Sequence, residues 1–198
     1  MSVSIDDIKK LKELSGIGLT DAKAALVEAG GDFDKALGAL RKKGVTKAEK
    51  KGDREAREGV IDGYVHSGRI GVLVEVNCET DFVARLDTFK AFAHEISLQI
   101  ASMSPIYVSE ADIPAKELER VRSEAKERVI AEGKPAEIAD KIVDGQVKKH
   151  FDEKVLLNQT YIKNEKQTVN DFLKENVAIF GENVIIRQFK RIELGVSE

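Results

Sequence analysis

Between Val60 and Ile100 the hydrophobic period changes from two residues to three and four, and that change sets what the chain can fold into. Ile70, Val72, Val74 and Val76 alternate with Gly71, Leu73 and Glu75, the pattern of a strand with one face on a core. Val60 to His66 is a second β-rich run, and the Ser67-Gly68-Arg69 connection has hairpin length, so an antiparallel hairpin is predicted. Phe89, Phe92, Ala93, Ile96 and Ile100 then recur at helical spacing. A helix from about Asp87 to Ser102, ended by Pro105, should pack across the hairpin. Between strand and helix stand Thr80, Asp81 and Phe82, with Phe82 out of register with the helical stripe. Two readings are open. Either Asp81 or Asp87 caps the helix while Phe82 folds back onto the core, or a small apolar wedge beside a carboxylate is presented to another molecule.

Upstream, Ser4 and Asp7 have capping-box spacing, and Ile8, Leu11 and Leu14 mark the apolar edge of a first helix that Gly16-Ile17-Gly18 ends. Thr20 or Asp21 is the expected cap of a second helix carrying Ala22, Ala25, Leu26 and Ala29, stopped by Gly30-Gly31. Asp32 should cap a third, with Phe33, Ala36, Leu37 and Leu40 inward and Gly44 closing it. From Arg41 to Arg57 eight basic residues face three acidic ones. That run reads as a solvated helical linker, with a basic edge for an acidic partner as the alternative.

Downstream, Ser109 and Asp112 repeat the capping spacing, Pro114 suits an early helical position, and Leu118, Val121, Ala125 and Val129 form a stripe reaching Gly133. Pro135 opens a further helix lined by Ile138, Ile142 and Val147, and the two should pair as a helical hairpin. Thr168 and Asp171 start an amphipathic helix with Val169, Phe172, Leu173, Val177 and Phe180, stopped by Gly181. The last β-rich run assigns Val184, Ile186, Ile192 and Leu194 to one face, interrupted by Gln188 and Lys190, which suits an edge. The predicted fold is α+β. A three-helix module at 1–45 and a charged linker at 46–57 precede a core at 58–198, built as a small antiparallel sheet covered by helices, with a helical hairpin at about 115–150.

Composition narrows the chemistry. The 35 acidic and 32 basic residues leave a net charge of -3, without the positive excess that nucleic-acid binding exploits, and no basic segment is interleaved with aromatics for base stacking. No apolar run reaches membrane-spanning length, and Met1 to Asp7 lacks a signal peptide's apolar segment, so a cytoplasmic protein is expected. Gly133-Lys134 is followed by Pro135 where a phosphate loop needs a hydroxyl, which argues against a bound nucleotide. Cys78 is the single cysteine and His66, His94 and His150 are widely spaced, so no zinc pattern exists and neither a metal nor a cofactor is expected. Cys78 reads as a small buried hydrophobe, with a thiol nucleophile as the alternative.

The stretch Glu75-Val76-Asn77-Cys78-Glu79-Thr80-Asp81-Phe82-Val83-Ala84-Arg85 resembles the signature of the elongation factor Ts family. Leu11 to Leu26 resembles that family's second signature, departing from it at Lys12, Ser15, Leu19 and Thr20, and the Gly133 to Pro135 and Gly181 to Val184 segments also fit. The resemblance implies a ubiquitin-associated-like N-terminal module ahead of the core. It implies nucleotide exchange on elongation factor Tu, in its GDP-bound and nucleotide-free forms, and no covalent catalysis. Asp81 and Phe82 would intrude on the partner's nucleotide domain and disturb its magnesium site, with Thr80 and Val83 positioning them. Lys12, Leu19, Thr20 and Lys23 would touch the partner near its phosphate-binding region. The chain departs from longer family members in having room for one core unit, and by the same resemblance shorter members are expected to work as homodimers. The rival classes are a ubiquitin-like binding module and a Cys78 enzyme.

Overall fold

Strand β2 (Ile70–Cys78) has two unlike faces: Val72, Val74, Val76 and Cys78 are buried, whereas Leu73 is exposed. It pairs antiparallel with β1 (Glu58–His66) on one side and with β5 (Ile185–Glu193) on the other, making a three-stranded sheet in the order β1-β2-β5. The β1–β2 hairpin turns through left-handed Ser67 and Gly68, and the Arg69 N–H closes it by donating to the His66 carbonyl at 2.9 Å. The computed structural model describes residues 3–15, 17–40, 51–132 and 136–196, without the side chains at 13, 14 and 136–138. Gly16, residues 41–50 with Gly44 and the start of the linker, Gly133, Lys134, Pro135, and the Leu14 and Ile138 side chains therefore lie outside the described residues.

Helices α1 (Ile5–Ser15), α2 (Leu19–Glu28) and α3 (33–40) bury Leu11, Ala22, Ala25, Leu26 and Ala36 against one another. Asp32 caps α3 as expected, its Oδ1 accepting the Lys35 N–H at 3.0 Å. Neither Thr20 nor Asp21 caps α2. Extended Gly18 holds the N-cap position and Leu19 opens the helix, so Asp21 falls in the first turn, where the helix dipole favours a carboxylate.

The buried face of the sheet is covered by the long helix α5 (Asp87–Met103) and by α8 (Val169–Phe180), with a one-turn helix α4 (Asp81–Ala84) between β2 and α5. Aromatic contacts join the two long helices: Phe89 meets Phe180 edge-on and Phe92 meets Phe172 at a tilt, each at 5.3 Å between ring centroids. Thr168 and Asp171 form the expected capping box of α8, and left-handed Gly181 ends it. Between α5 and α8, α6 (Ala115–Ala131) and α7 (Ala136–Asp152) make the expected helical hairpin, with Val121, Ala125 and Val129 packed on Val143, Val147 and Phe151. Pro114 stands at the N-cap of α6 and not inside it. A short ribbon of β3 (Thr160–Tyr161) and β4 (Asn164–Thr168) is tied to α5 by buried Gln99, which donates to the Thr160 carbonyl at 3.1 Å and accepts the Ile162 N–H at 2.9 Å.

Two expectations fail for long-range reasons. Residues 51–57 are turn, bend and irregular chain, not helix; the Asn183 side chain donates to the Arg54 carbonyl at 2.7 Å and to that of Gly52 at 3.3 Å. The face assigned to the last strand is also wrong. Glu75 pairs with Gln188 but Val76 with Ile186, so Arg187 is an extra residue and the alternation inverts there. Ile186 and Phe189 face the core, while Ile192 joins Ile61, Val65 and Leu73 on the open face of the sheet, each more than half exposed. The edge position expected for β5 is what the strand order shows.

At Gly59 the β1 backbone passes close to β2, with φ at 153° and an added Cβ only 2.1 Å from the Val76 carbonyl oxygen. Gly59→Ala should therefore destabilise the protein by roughly 3 kcal/mol or more. A urea midpoint equal to that of the parent would refute this close approach.

Candidate functional site

The buried run of β2 ends at Cys78, and the chain leaves the sheet through Glu79 and Thr80 into α4. Four residues are too few for a helix to persist by itself, since nucleation is unfavourable. The turn is held from outside. Thr80, in extended conformation, is its N-cap, and the Thr80 hydroxyl oxygen accepts the Val83 N–H over a long 3.5 Å. Val83 and Ala84 are buried in the core cluster beneath. Asp81 Oδ2 lies 2.7 Å from Arg85 Nη2 one turn on. Phe82 is left 78% exposed, the most exposed of the large apolar side chains among the described residues.

Of the two readings of this stretch, the folded-back ring is overturned. Neither Asp81 nor Asp87 is a cap: Thr80 and Leu86 hold those positions, and both carboxylates sit in first turns. Phe82 does not return to the core, because the inward places on the turn belong to Val83 and Ala84.

Sequence reasoning missed the residues that anchor this turn. Glu182, just past the end of α8, reaches back across the fold: its Oε2 accepts the N–H groups of Glu79 at 3.1 Å and Thr80 at 3.0 Å, and its Oε1 accepts the Thr80 hydroxyl at 2.6 Å. The contact is reciprocal. Glu79 Oε1 accepts the Asn183 N–H at 2.6 Å, and Arg54 stands 3.6 Å from the same oxygen. The one local signal was the Gly181 stop, which marks Glu182 and Asn183 as a connection but does not name their partners.

Lys12 on α1 and Leu19, Thr20 and Lys23 on α2 are all exposed, and Leu19 and Lys23 stand one helical turn apart on a shared face. They are carried by elements separate from the Thr80–Val83 turn. His66, His94 and His150 fall on β1, α5 and α7; His66 pairs with Tyr64 and His94 with Asp62. Among the described residues no group of three or more His, Cys, Asp or Glu is placed to hold a metal ion, and no helix is long and apolar enough to cross a membrane.

The family model described as elongation factor TS matches residues 45–196. The chain belongs to the elongation factor Ts family. It is 50% identical over 194 residues to the elongation factor Ts of Thermoanaerobacter sp. (strain X514), covering 98% of this chain and 95% of that one. It is 47% identical over 196 residues to that of Coprothermobacter proteolyticus, covering 98% and 100% respectively. With the Carboxydothermus hydrogenoformans elongation factor Ts it shares 50% identity over 189 residues, 95% of this chain and 87% of the relative. Membership places the chain in the elongation stage of protein synthesis.

Within this family setting Cys78 is structural. It is fully buried, its Sγ donates to the Thr80 carbonyl at 3.2 Å, and burial, followed by the Glu182 charge, pushes the thiol up to about 11. The proton thus stays on the folded protein at pH values where the unfolded chain has lost it, so this group's contribution to stability is present below pH 9.0 and fades as pH rises toward about 11. At pH 8 a thiol reagent should label native Cys78 at least ~100-fold more slowly than the denatured chain. Rapid native labelling would show that the thiol is open to solvent.

Proposed function

We propose that this chain is the guanine-nucleotide exchange factor for elongation factor Tu. It engages the GDP-bound partner, Asp81 and Phe82 enter the nucleotide domain, and displacement of the magnesium ligands weakens the hold on GDP so that GTP can replace it. The observation that carries this reading is an exposed phenyl ring with a carboxylate beside it, on a turn whose other residues are buried or hydrogen-bonded. Magnesium demands near-ideal octahedral geometry, so a small displacement of its ligands suffices. The rest is coupling: a factor that prefers the nucleotide-free partner lowers that partner's affinity for GDP, and GDP lowers the affinity for the factor by the same ratio. No bond is made or broken, so the protein is not an enzyme in the covalent sense. Lys12, Leu19, Thr20 and Lys23 supply a second contact, near the partner's phosphate-binding region, and their exposure suits that role. A Cys78 enzyme is disfavoured by the burial of the thiol, and a ubiquitin-like binding module leaves the Thr80–Val83 turn without a use. We place the protein in the cytoplasm, where translation factors act.

The working form is a homodimer. Ile61, Val65, Leu73 and Ile192 expose large apolar side chains on the open face of the sheet, and Gly63 and Gly71 between them keep the face flat. An exposed apolar patch of this kind, bordered by Glu75, Gln188 and Lys190 on the same face, is costly in water, and meeting its own copy about a two-fold axis would cover both at once.

Two outcomes test these readings. Phe82→Ala should slow release of a fluorescent GDP analogue from elongation factor Tu about tenfold at saturating factor, while weakening binding to the nucleotide-free partner less. Equal release rates for variant and parent would remove the turn from the exchange mechanism. Leu73→Asp should convert a two-chain mass in light scattering to a one-chain mass without loss of fold. A parent that is already one chain at working concentration rules out the dimer.

A further inference from the structure

The start of the exposed turn is anchored by one carboxylate that lies 102 residues from Thr80 in sequence, while Val83 and Ala84 pack beneath the turn. Glu182 accepts the Glu79 and Thr80 N–H groups and the Thr80 hydroxyl hydrogen bond at 2.6 Å. With its proton committed to Glu182, that hydroxyl presents a lone pair to the Val83 N–H, which is the cap of α4. Glu182 is itself fixed: Gly181, left-handed at φ 75°, ends α8 just before it, and the Asn183 N–H donates to Glu79 Oε1 at 2.6 Å just after it. Phe82 contributes nothing to holding the turn, since its ring is in solvent.

We propose that Glu182 is a positioning residue for exchange: it holds the Thr80–Val83 turn ordered in the free factor, so that Phe82 and Asp81 meet the partner already aimed. This inference rests on the exchange reading given above for the same turn. A charged acceptor on three donors forms stronger bonds than a neutral one, and a turn fixed beforehand loses little conformational freedom on docking. Removing the carboxylate leaves two N–H groups and a hydroxyl without their acceptor, and the one-turn helix without its relay. Gln at the same position retains one carbonyl acceptor but turns an amide N–H₂ toward the remaining donors, so it recovers only part of the function.

The test combines an order measurement with a rate. The chain contains no Trp, so Phe82→Trp introduces a single indole whose fast depolarisation reports the freedom of the turn. Adding Glu182→Ala to that protein should enlarge the fast component of its time-resolved anisotropy. An unchanged anisotropy decay overturns the positioning role, whatever the exchange data show. In release of the fluorescent GDP analogue, Glu182→Ala should lower the saturating rate about tenfold, with Glu182→Gln intermediate. In the Phe82→Ala background the same change should have a much smaller effect, because Asp81 is then the one aimed side chain left for Glu182 to position. Equal factors in both backgrounds would mark a general loss of structure and overturn the proposal. If the indole is freed but neither Glu182→Ala nor Phe82→Ala changes the release rate, Glu182 positions the turn as described and the exchange reading of the turn fails.

Discussion

Strand β2 is hydrogen-bonded on both edges and buried on one face, and the rest of the core depends on that combination. A slip of one residue would carry Leu73 and Glu75 into the core and expel Val72, Val74 and Val76, so the register is fixed by burial and not by the hairpin turn alone. The same strand delivers Cys78, Glu79 and Thr80 to the sheet's end, which makes the position of the following turn as definite as that of the sheet. Gly59 lets β1 approach closely enough to keep this end of β2 paired. On the other side, the extra residue at Arg187 lets β5 stay paired while Ile186 and Phe189 both reach the core. Glu75 at this irregularity accepts from Gln188 at 2.7 Å and from Asn77 at 3.2 Å, and those bonds hold its carboxyl below the ordinary range.

What could be read from sequence is what neighbouring residues decide. The alternation of β2, the stripes of α5, α6 and α8, the Thr168 capping box and the glycine stop at Gly181 are contained within a few residues each. Apart from local cap positions such as those of Gly18 and Pro114, the failures lie where partners are distant. The conformation of residues 51–57 is set with Asn183, and the face of Ile192 is set by the pairing of β5 with β2. At the turn itself, Thr80, Asp81 and Asp87 are three good capping types within eight residues, and local propensity does not rank them. The choice of Thr80 follows from its bond to Glu182, which no spacing rule reveals. The residues read alone leave a folded-back ring and a wedge beside a carboxylate both open, while the family and its place in translation rest on two signature stretches and on the match across 45–196.

The outward aim of Phe82 follows from helical geometry once its neighbours are placed. Successive side chains on a helix are about 100° apart, so with Val83 and Ala84 both inward their mean direction lies roughly 150° from Phe82 and about 110° from Asp81. Burying the pair therefore drives the ring almost straight out and leaves the carboxylate on the flank, within reach of Arg85. An exposed Phe forgoes about 2–3 kcal/mol of burial relative to a folded-back one, so the chain must hold the turn against the ring's own tendency to return. The Val83 and Ala84 contacts oppose that return from below, and the Glu182 carboxylate opposes it at the start of the turn, where unwinding would begin. With the inward places taken by Val83 and Ala84, a residue that served the fold alone would be better polar at position 82. Its exposure, with three buried or bonded neighbours arranged to maintain it, is what the proposed contact with a partner requires of this side chain.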